Sequence, residues 1–225
     1  MATQRGVLPG SRILDAGCGT GSYSVELAKR GYALAGLDSS EELASLARAK
    51  AEEAVVPVTF QKGDILELPS RPSYDGILCR GVLNDIIDGP NRQKAFFSFA
   101  GALRKGGILI LDVREWTNSA LRKEREPVFE KVVEYDRGTF TFRAVTRLEY
   151  QTRQLWVAES YILKRDDGVK TQTEYDFVMR CWTRDELHNS LINAGFGSVA
   201  CFGDYDYSSP TGSTDRIVAV ATLER

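Results

Sequence analysis

The run RILDAGCGTGSYSVEL, which begins at Arg12, constrains the fold more than any other part of the sequence. Its apolar first half is typical of a buried strand, and a helical pattern starts directly after the glycines at positions 17, 19 and 21. Glycine permits a tight turn and a close approach of the backbone, and the N–H groups at the start of a helix can face a ligand. The run therefore predicts an α/β unit with a ligand site at the carboxyl end of its strand.

The alternation of strand and helix continues through the first half of the chain. Helices are predicted at SYSVELAKRG, from Ser39 to about Glu53 with Glu42 completing a capping box, and through NRQKAFFSFAGALRK behind Pro90. Five strands are predicted around them, namely RILDAG, YALAGLD, VTFQKGD, YDGILCRG and GGILILDV. This order favours a parallel sheet that is covered by helices on both faces.

The pattern changes between Phe129 and Arg180, where apolar and polar residues alternate with a period of two. In TFTFRAVTRLEY the aromatic and aliphatic side chains fall on one face, and Arg143 and Arg147 fall on the other. Turn residues in DRG, QTRQ and DDG separate the runs. Residues 128–180 are therefore predicted to form an antiparallel β insertion.

The α/β pattern resumes after the insertion, so residues 1–127 and 181–225 are predicted to form one domain. Thr183 and Glu186 form a capping box at the start of TRDELHNSLINAGF. The last two strands, GSVACFGDYDY and RIVAVATLE, are joined by too short a link for a crossover helix and should pair antiparallel. The predicted fold is α/β, with a mostly parallel seven-stranded sheet, an antiparallel last strand and a β insertion after the fifth strand.

Composition narrows the class of protein. The formal net charge of −2 over 225 residues comes without a basic block, which gives no nucleic-acid footprint. The four cysteines form no C-x-x-C pair and no metal-type spacing, so we expect reduced thiols, no metal site and a cytoplasmic location. An apolar run of about eighteen residues, the length that a membrane helix needs, is absent.

Asp38 ends the second predicted strand, seventeen residues after Gly21. A carboxylate at this position can accept hydrogen bonds from both hydroxyls of a ribose, which indicates a nucleoside cofactor. The glycine spacing is G-x-G-x-G, with Asp15 before it, and differs from the G-x-G-x-x-G of dinucleotide enzymes. The lysine of a P-loop is also missing.

In these residues the chain resembles the class I S-adenosylmethionine-dependent methyltransferases, whose first motif is an acidic residue followed by G-x-G-x-G. The likeness continues, in order, through GLDSS, GDILELP, YDGILCRGVLND and ALRKGGILILDV. The later runs CWTRDELHNSLINAGF and GDYDYSSP resemble small-molecule N-methyltransferases that act on glycine or amino sugars. The resemblance implies a Rossmann-like fold and S-adenosylmethionine as the cofactor, with S-adenosylhomocysteine as its product.

The resemblance also implies that the cofactor lies along the carboxyl ends of the first four strands. The residues that it places there, from the methionine end through the ribose and adenine to the sulfonium, are Asp15, Ala16, Gly17 and Gly19, then Asp38 and Ser39, then Asp64 and Ile65, then Arg80 and Gly81. Ordinary structural roles compete at some of these positions. Asp64 can be a turn residue, and Arg80 can be an ion-pair partner.

The methyl acceptor should lie at the loops after the fourth and fifth strands, and no residue is assigned as catalytic. The candidates in these loops are Asn84, Asp85, Arg114 and Trp116. Arg143 in the insertion is a further candidate because a guanidinium can clamp a carboxylate, although residues of such a strand are more often simple sheet-face residues.

The sequence thus predicts transfer of a methyl group to a small-molecule acceptor, with an amine nitrogen favoured. His188, the only histidine, lies in an ordinary amphipathic helix, whereas a phenol acceptor usually has a base such as histidine. An N-P-P-Y tetrapeptide is missing at CRGV, which opposes a DNA substrate. The alternatives are an O-methyltransferase for a hydroxyl or carboxyl group, a non-catalytic cofactor-binding module, and a nucleotide-linked oxidoreductase, which the glycine spacing opposes.

Only eleven residues precede Arg12, whereas relatives usually carry about thirty or more residues that close over the cofactor. Three explanations are open: a trimmed chain, a lid from another subunit, or an open site. The β insertion could itself act as a lid or as a contact between identical subunits.

Overall fold

The structure is a computed structural model that describes residues 6–206 and 208–224. Residues 1–5, Tyr207 in the GDYDYSSP segment and Arg225 lie outside the described residues. The α-helices found within them are α1 (Ser22–Lys29), α2 (Glu41–Glu53), α3 (Gly89–Ala102), α4 (Trp116–Arg125) and α5 (Arg184–Asn193). None of these described helices is long and apolar enough to cross a lipid bilayer.

The strands form two sheets. The strands of the larger sheet are β1 (Arg12–Ala16), β2 (Ala33–Asp38), β3 (Thr59–Lys62), β4 (Tyr74–Arg80), β5 (Leu103–Arg114), β10 (Phe196–Phe202) and β11 (Arg216–Leu223). Those of the smaller sheet are β6 (Val128–Tyr135), β7 (Gly138–Glu149), β8 (Gln154–Arg165) and β9 (Lys170–Arg180).

The seven-stranded sheet has the order β10-β11-β5-β4-β1-β2-β3. The strands β1 to β5 are parallel where they pair, and β11 runs antiparallel to both of its neighbours. The predicted fold class is therefore confirmed, including the antiparallel last strand. Because β5 lies inside the sheet, its near-continuous apolar run is covered on both faces.

Opposite faces of β5 pack against different helices. Leu109 and Leu111 pack with α3 and α5, whereas Ile108 and Ile110 pack with α1 residues such as Leu27. The carboxyl ends of the parallel strands form the edge at which an open α/β sheet binds ligands.

The smaller sheet is the predicted insertion, with antiparallel order β6-β7-β8-β9. One face, called the inner face here, carries Ala144, Leu155 and Val157, which are buried. Trp116 and Phe142 pack at the edge of this buried cluster. The register puts Arg143 and Arg147 on the opposite, outer face, as the alternation predicts.

Three local predictions are wrong. The cap of α2 is Ser40 and not Ser39, because the Asp38 carboxylate binds the N–H of Ser40 and the Ser40 hydroxyl then accepts from Leu43. Helix α3 ends at Ala102 instead of continuing through Lys105, because Leu103 is already extended and pairs with β4.

The segment after β5 also differs from the prediction. Trp116 was assigned to a loop, but it is the first residue of α4, which Glu115 caps by accepting hydrogen bonds from two backbone N–H groups. Three basic residues in the last turn suit the negative end of the helix dipole. Because α4 connects the main sheet to the insertion, it borders the space between them.

Candidate functional site

In the glycine loop after β1, two positions leave room only for glycine, and the third glycine faces open space. Gly17, Gly19 and Gly21 all have positive φ, at 81°, 54° and 73°. A Cβ at Gly17 would lie 2.1 Å from a methyl of Val82, and one at Gly21 would lie 2.7 Å from the ring of Phe60. A Cβ at Gly19 would meet nothing within 4 Å. Gly17 and Gly21 therefore shape the loop, and Gly19 leaves room for a ligand above it.

Asp38 ties this loop to the end of β2. One carboxylate oxygen of this buried residue accepts the N–H of Gly19 at 2.8 Å, and the other accepts that of Ser40 at 3.0 Å. Each oxygen keeps a further lone pair that can accept a hydroxyl. The predicted Ser39 is exposed beside it. Space above Gly19 and a fixed carboxylate next to it are what the ribose of a nucleoside cofactor requires.

Asp15 and Ala16 lie beneath the loop. Asp15 is 3% exposed and accepts a hydrogen bond of 2.6 Å from the hydroxyl of Ser24, which joins β1 to α1. Burial raises the pKa of the Asp15 carboxyl, and the hydrogen bond from Ser24 partly opposes that shift. Burial also raises the pKa of the nearby Cys18 thiol to about 12, so this cysteine stays a neutral packing residue near neutral pH.

Asp64 lies at the same edge, after β3. Its carboxylate accepts the N–H of Leu66 at 2.8 Å and caps the short 3₁₀ helix Ile65–Glu67, while Ile65 is buried. Asp64 therefore has the structural role of a turn residue, which was the alternative to a role in cofactor binding. The second carboxylate oxygen is left for a donor such as the adenine amino group.

Arg80 and Gly81 end β4. The guanidinium of Arg80 lies between two tyrosine rings, 3.5 Å from the centroid of Tyr23 and 5.1 Å from that of Tyr205. Its Nε donates to the Tyr205 hydroxyl at 3.0 Å. The partners of Arg80 are therefore aromatic, and no ion pair of Arg80 is found among the described residues. The N–H of Gly81 donates to Asp112 at 2.7 Å, and a Cβ at Gly81 would meet nothing within 4 Å. Gly81 is thus a second point of open space.

A cavity of about 430 Å³ adjoins Arg80 on the α1 face of the main sheet. Its walls are mostly apolar. They include several residues of β4, together with Val7 and the ring of Tyr205. Burial is the main cause, and the Asp112 carboxylate a further cause, of the raised pKa of Tyr205, so this hydroxyl stays protonated near neutral pH.

Two of the candidates for the acceptor side, Asn84 and Arg114, are joined by a hydrogen bond. Asn84 is buried, donates from its amide to the carbonyl of Gly81 at 3.2 Å and accepts the N–H of Arg114 at 2.9 Å. Asp85 follows at the exposed edge, and desolvation raises the pKa of its carboxyl. Trp116 instead packs edge-on against Tyr150 at a centroid distance of 5.7 Å.

Arg143 lies outside this region. It is on the outer face of the insertion, exposed, with its Nε 3.8 Å from Glu130. The expectation that it faces a substrate is not supported by this position, because the register of β7 turns its side chain away from α4.

A second cavity lies between the end of β5, α4 and the inner face of the insertion, and its volume is about 360 Å³. The sequence pattern pointed to Arg114 but not to the five other polar residues that line this cavity, which are Arg122, Lys123, Glu126, Thr146 and Glu159. A signal for two of them exists, because Thr146 and Glu159 interrupt the apolar phase of β7 and β8. Within residues 6–206 and 208–224, no three metal-binding side chains converge.

Comparisons with known proteins agree with this geometry. The family described as "Methyltransferase domain" matches residues 13–107. The protein YqeM of Bacillus subtilis, which is named as a methyltransferase, is 35% identical over 218 residues, covering 92% of this chain and 81% of its own.

Two solved structures have the same fold. A S-adenosylmethionine-dependent methyltransferase from Clostridium acetobutylicum matches all of this chain and 88% of its own, with a TM-score of 0.84 at 18% identity. CalS10, an amino pentose methyltransferase from Micromonospora echinaspora solved with S-adenosylmethionine bound, matches 95% of this chain and 83% of its own, with a TM-score of 0.75 at 21% identity. The relationship to YqeM over most of both chains, together with the family match across the glycine loop, shows that the chain belongs to the S-adenosylmethionine-dependent methyltransferases.

Proposed function

We propose that this methyltransferase acts on an amine nitrogen of a small-molecule acceptor, and that the 360 Å³ cavity between α4 and the insertion is the acceptor compartment. The observation that carries the proposal is a chain of hydrogen bonds that joins this cavity to the cofactor edge. Arg114 lines the cavity, its N–H donates to Asn84, and Asn84 donates to the carbonyl of Gly81. The volume lies in the range of small-molecule pockets.

The residues of the cofactor edge support the proposed cofactor assignments. Gly19 and Gly81 leave open space, Asp38 offers lone pairs to the ribose, and Asp64 has an oxygen for the adenine amino group. Asp15 supports the loop from below, through Ser24. We retain these roles as proposals for this chain.

Bound S-adenosylmethionine supplies a methyl group on a positively charged sulfur, which leaves as a neutral thioether while the acceptor nitrogen forms the new bond. The protein has to align the acceptor and keep the site poor in water. The methylated nitrogen then releases one proton, for which Asp85 is the carboxylate nearest to Gly81 in the chain. His188, the only histidine in the sequence, lies on α5, and it is not among the residues that line the cavity.

The test has two parts. Calorimetry should show S-adenosylmethionine binding to the wild type and a loss of at least about 100-fold in affinity for Asp38→Ala, because the ribose partner and the loop tie are both removed. Mass spectrometry should then detect methylation in a panel of small amines and none in a matched panel in which each amine is replaced by a hydroxyl. Methylation of the hydroxyl panel alone would overturn the choice of nitrogen.

We also propose that two copies of the chain meet through the insertion. Strand β6 is at the edge of its sheet and exposed along its whole length, and Val132 and Val133 are among its exposed apolar residues. An exposed apolar edge strand favours pairing with another chain. Light scattering should give a dimer for the wild type and a monomer when both valines are replaced by lysine. A wild-type monomer at micromolar concentration would contradict the proposal.

A further inference from the structure

The acceptor cavity is mainly cationic on its α4 side and carries a carboxylate on its insertion side. Arg114, Arg122 and Lys123 line the α4 side, together with the carboxylate of Glu126 at the end of α4. Thr146 and Glu159, on neighbouring strands of the insertion, line it from the inner face. Apolar side chains of the insertion, Phe177 and Met179 among them, complete the walls.

Lys123 carries a charge that the nearby carboxylates compensate only in part. Burial, followed by the nearby Arg122 and Arg114, lowers the pKa of its ammonium group, and Asp215 and Glu126 oppose this less strongly. Among the described residues Lys123 forms no ion pair, whereas Arg114 and Arg122 both pair with Asp215. An anionic group in the cavity would relieve this cost.

Glu159 carries a negative charge that is likewise without an ion pair among the described residues. Its partner among the described residues is the hydroxyl of Tyr161, and no cationic side chain there pairs with it. Tyr161 also packs against Phe142 at a centroid distance of 5.2 Å on the same face. A carboxylate beside aromatic rings is suited to an ammonium group, which gains from the ion pair and from the ring faces.

Two unpartnered polar atoms also belong to residues that line the cavity. Thr146 is 6% exposed, and its hydroxyl has no hydrogen-bond partner in the described chain. The same holds for Nε of Arg114. A buried polar atom without a partner costs about 1–3 kcal/mol, so a ligand that satisfies such atoms is favoured.

We propose that the cavity binds the acceptor as a zwitterion of the amino-acid class with an apolar side chain. Its acid group lies at Lys123 and Arg114, its ammonium group lies at Glu159, and its side chain packs on the apolar wall. Before transfer the ammonium group gives one proton to the Glu159 carboxylate, which frees the nitrogen lone pair that forms the bond to the methyl group. This inference rests on the proposed function, because it names the class of acceptor for the same site.

The experiment compares related acceptors in the presence of saturating S-adenosylmethionine. The panel contains apolar α-, β- and γ-amino acids, for example L-phenylalanine, and the methyl ester of each, which keeps only the ammonium charge. We expect kcat/KM to be at least about 10-fold higher for a preferred amino acid than for its ester, since a charged hydrogen bond contributes about 1.5–3 kcal/mol.

The variants separate the two charges. Lys123→Met should lower kcat/KM about 10-fold for the amino acid and leave it unchanged for the ester, whereas Glu159→Gln should lower both. Lys123→Arg should retain the preference for the amino acid. Lys164→Met and Glu174→Gln make the same chemical changes on the outer face of the same sheet and should alter neither value. Melting temperature and S-adenosylmethionine affinity show that each variant is folded.

The outcomes distinguish the two proposals. Equal rates for the acid and the ester in the wild type, or amines methylated only when they lack an acid group, would overturn the zwitterion and leave the amine methyltransferase standing. Transfer to hydroxyls alone would overturn the amine function. In that case, calorimetry of L-phenylalanine with S-adenosylhomocysteine present decides whether the cavity binds a zwitterion, because binding should be lost in Lys123→Met and Glu159→Gln.

Discussion

The buried polar groups at the cofactor edge have hydrogen-bond partners, whereas polar groups of the proposed acceptor cavity lack them. At the cofactor edge the carboxylates of Asp15 and Asp38 are bound by Ser24 and by backbone N–H groups. In the acceptor cavity the hydroxyl of Thr146 has no partner, and Glu159 meets no cation in the described chain. The first region is a preformed cradle, whereas the second has unsatisfied polar groups, which we propose that an acceptor satisfies.

The largest effect on stability is expected in the cradle. Gly17→Ala should lower the free energy of unfolding by about 3 kcal/mol, because the new Cβ meets Val82 and a positive φ becomes strained. Gly19→Ala should cost about 1 kcal/mol, because its Cβ meets nothing, yet it should weaken S-adenosylmethionine binding about 10-fold by occupying the ligand space. Urea denaturation and calorimetry measure both. Equal losses of stability would show that the loop is not divided in this way.

The next largest effect is expected at Asp38, where a nearly isosteric change is compared with a truncation. Asp38→Asn keeps an oxygen for the N–H of Gly19 and should bind S-adenosylmethionine about 10-fold more weakly, whereas Asp38→Ala should lose about 100-fold. Calorimetry measures both affinities, with melting temperature as the control for folding. If both variants bind as the wild type does, Asp38 supports the loop alone.

A smaller effect on stability is expected when a hydrogen-bonded hydroxyl and an unpartnered hydroxyl are each removed. Ser24→Ala should destabilise the fold by about 2 kcal/mol, because the buried Asp15 carboxylate loses its donor. Thr146→Val should stabilise it by about 1 kcal/mol, because an unpartnered hydroxyl becomes a methyl group. Chemical denaturation of both variants tests the comparison directly. Similar losses of stability in the two would remove the distinction between the regions.

The smallest effect is a pH dependence. The pKa of Lys123 is lowered by burial and by Arg122 and Arg114, with Asp215 and Glu126 opposing and Glu159 across the cavity. Its ammonium group is present below that pKa and is lost as the pH rises through it, before an ordinary lysine would titrate. Inhibition by 3-phenylpropanoate should therefore weaken as the pH rises, at pH values below the ordinary lysine pKa of about 10.4.

The matching control for this titration is Lys123→Arg, because arginine stays charged throughout this range. Inhibition of Lys123→Arg by 3-phenylpropanoate should not change with pH. Inhibition of Lys123→Met should be weak at every pH. A wild-type inhibition constant that is independent of pH would place the acid-binding charge on another residue.

Much of the fold followed from pattern. Strands β1 to β5, the antiparallel β11 and the insertion were predicted because their apolar periods are regular and their ends carry glycine or capping residues. Helix α4 was missed, because WTNSALRKER has few apolar residues and its helical stretch depends on the cap by Glu115. The shift from Ser39 to Ser40 arises because Asp38 reaches past the nearer serine to a backbone N–H.

The sequence by itself determined the cofactor half of this protein. Gly17, Gly19 and Asp38 are recognisable because a cradle made by one strand, one loop and the next strand has a fixed spacing along the chain. Only the tertiary structure revealed the cavity that we propose for the acceptor, and the register of β7 puts Arg143 on the outer face of the insertion. The cavity joins β5, α4 and two strands of the insertion, and contacts between residues so far apart in sequence leave no spacing to recognise.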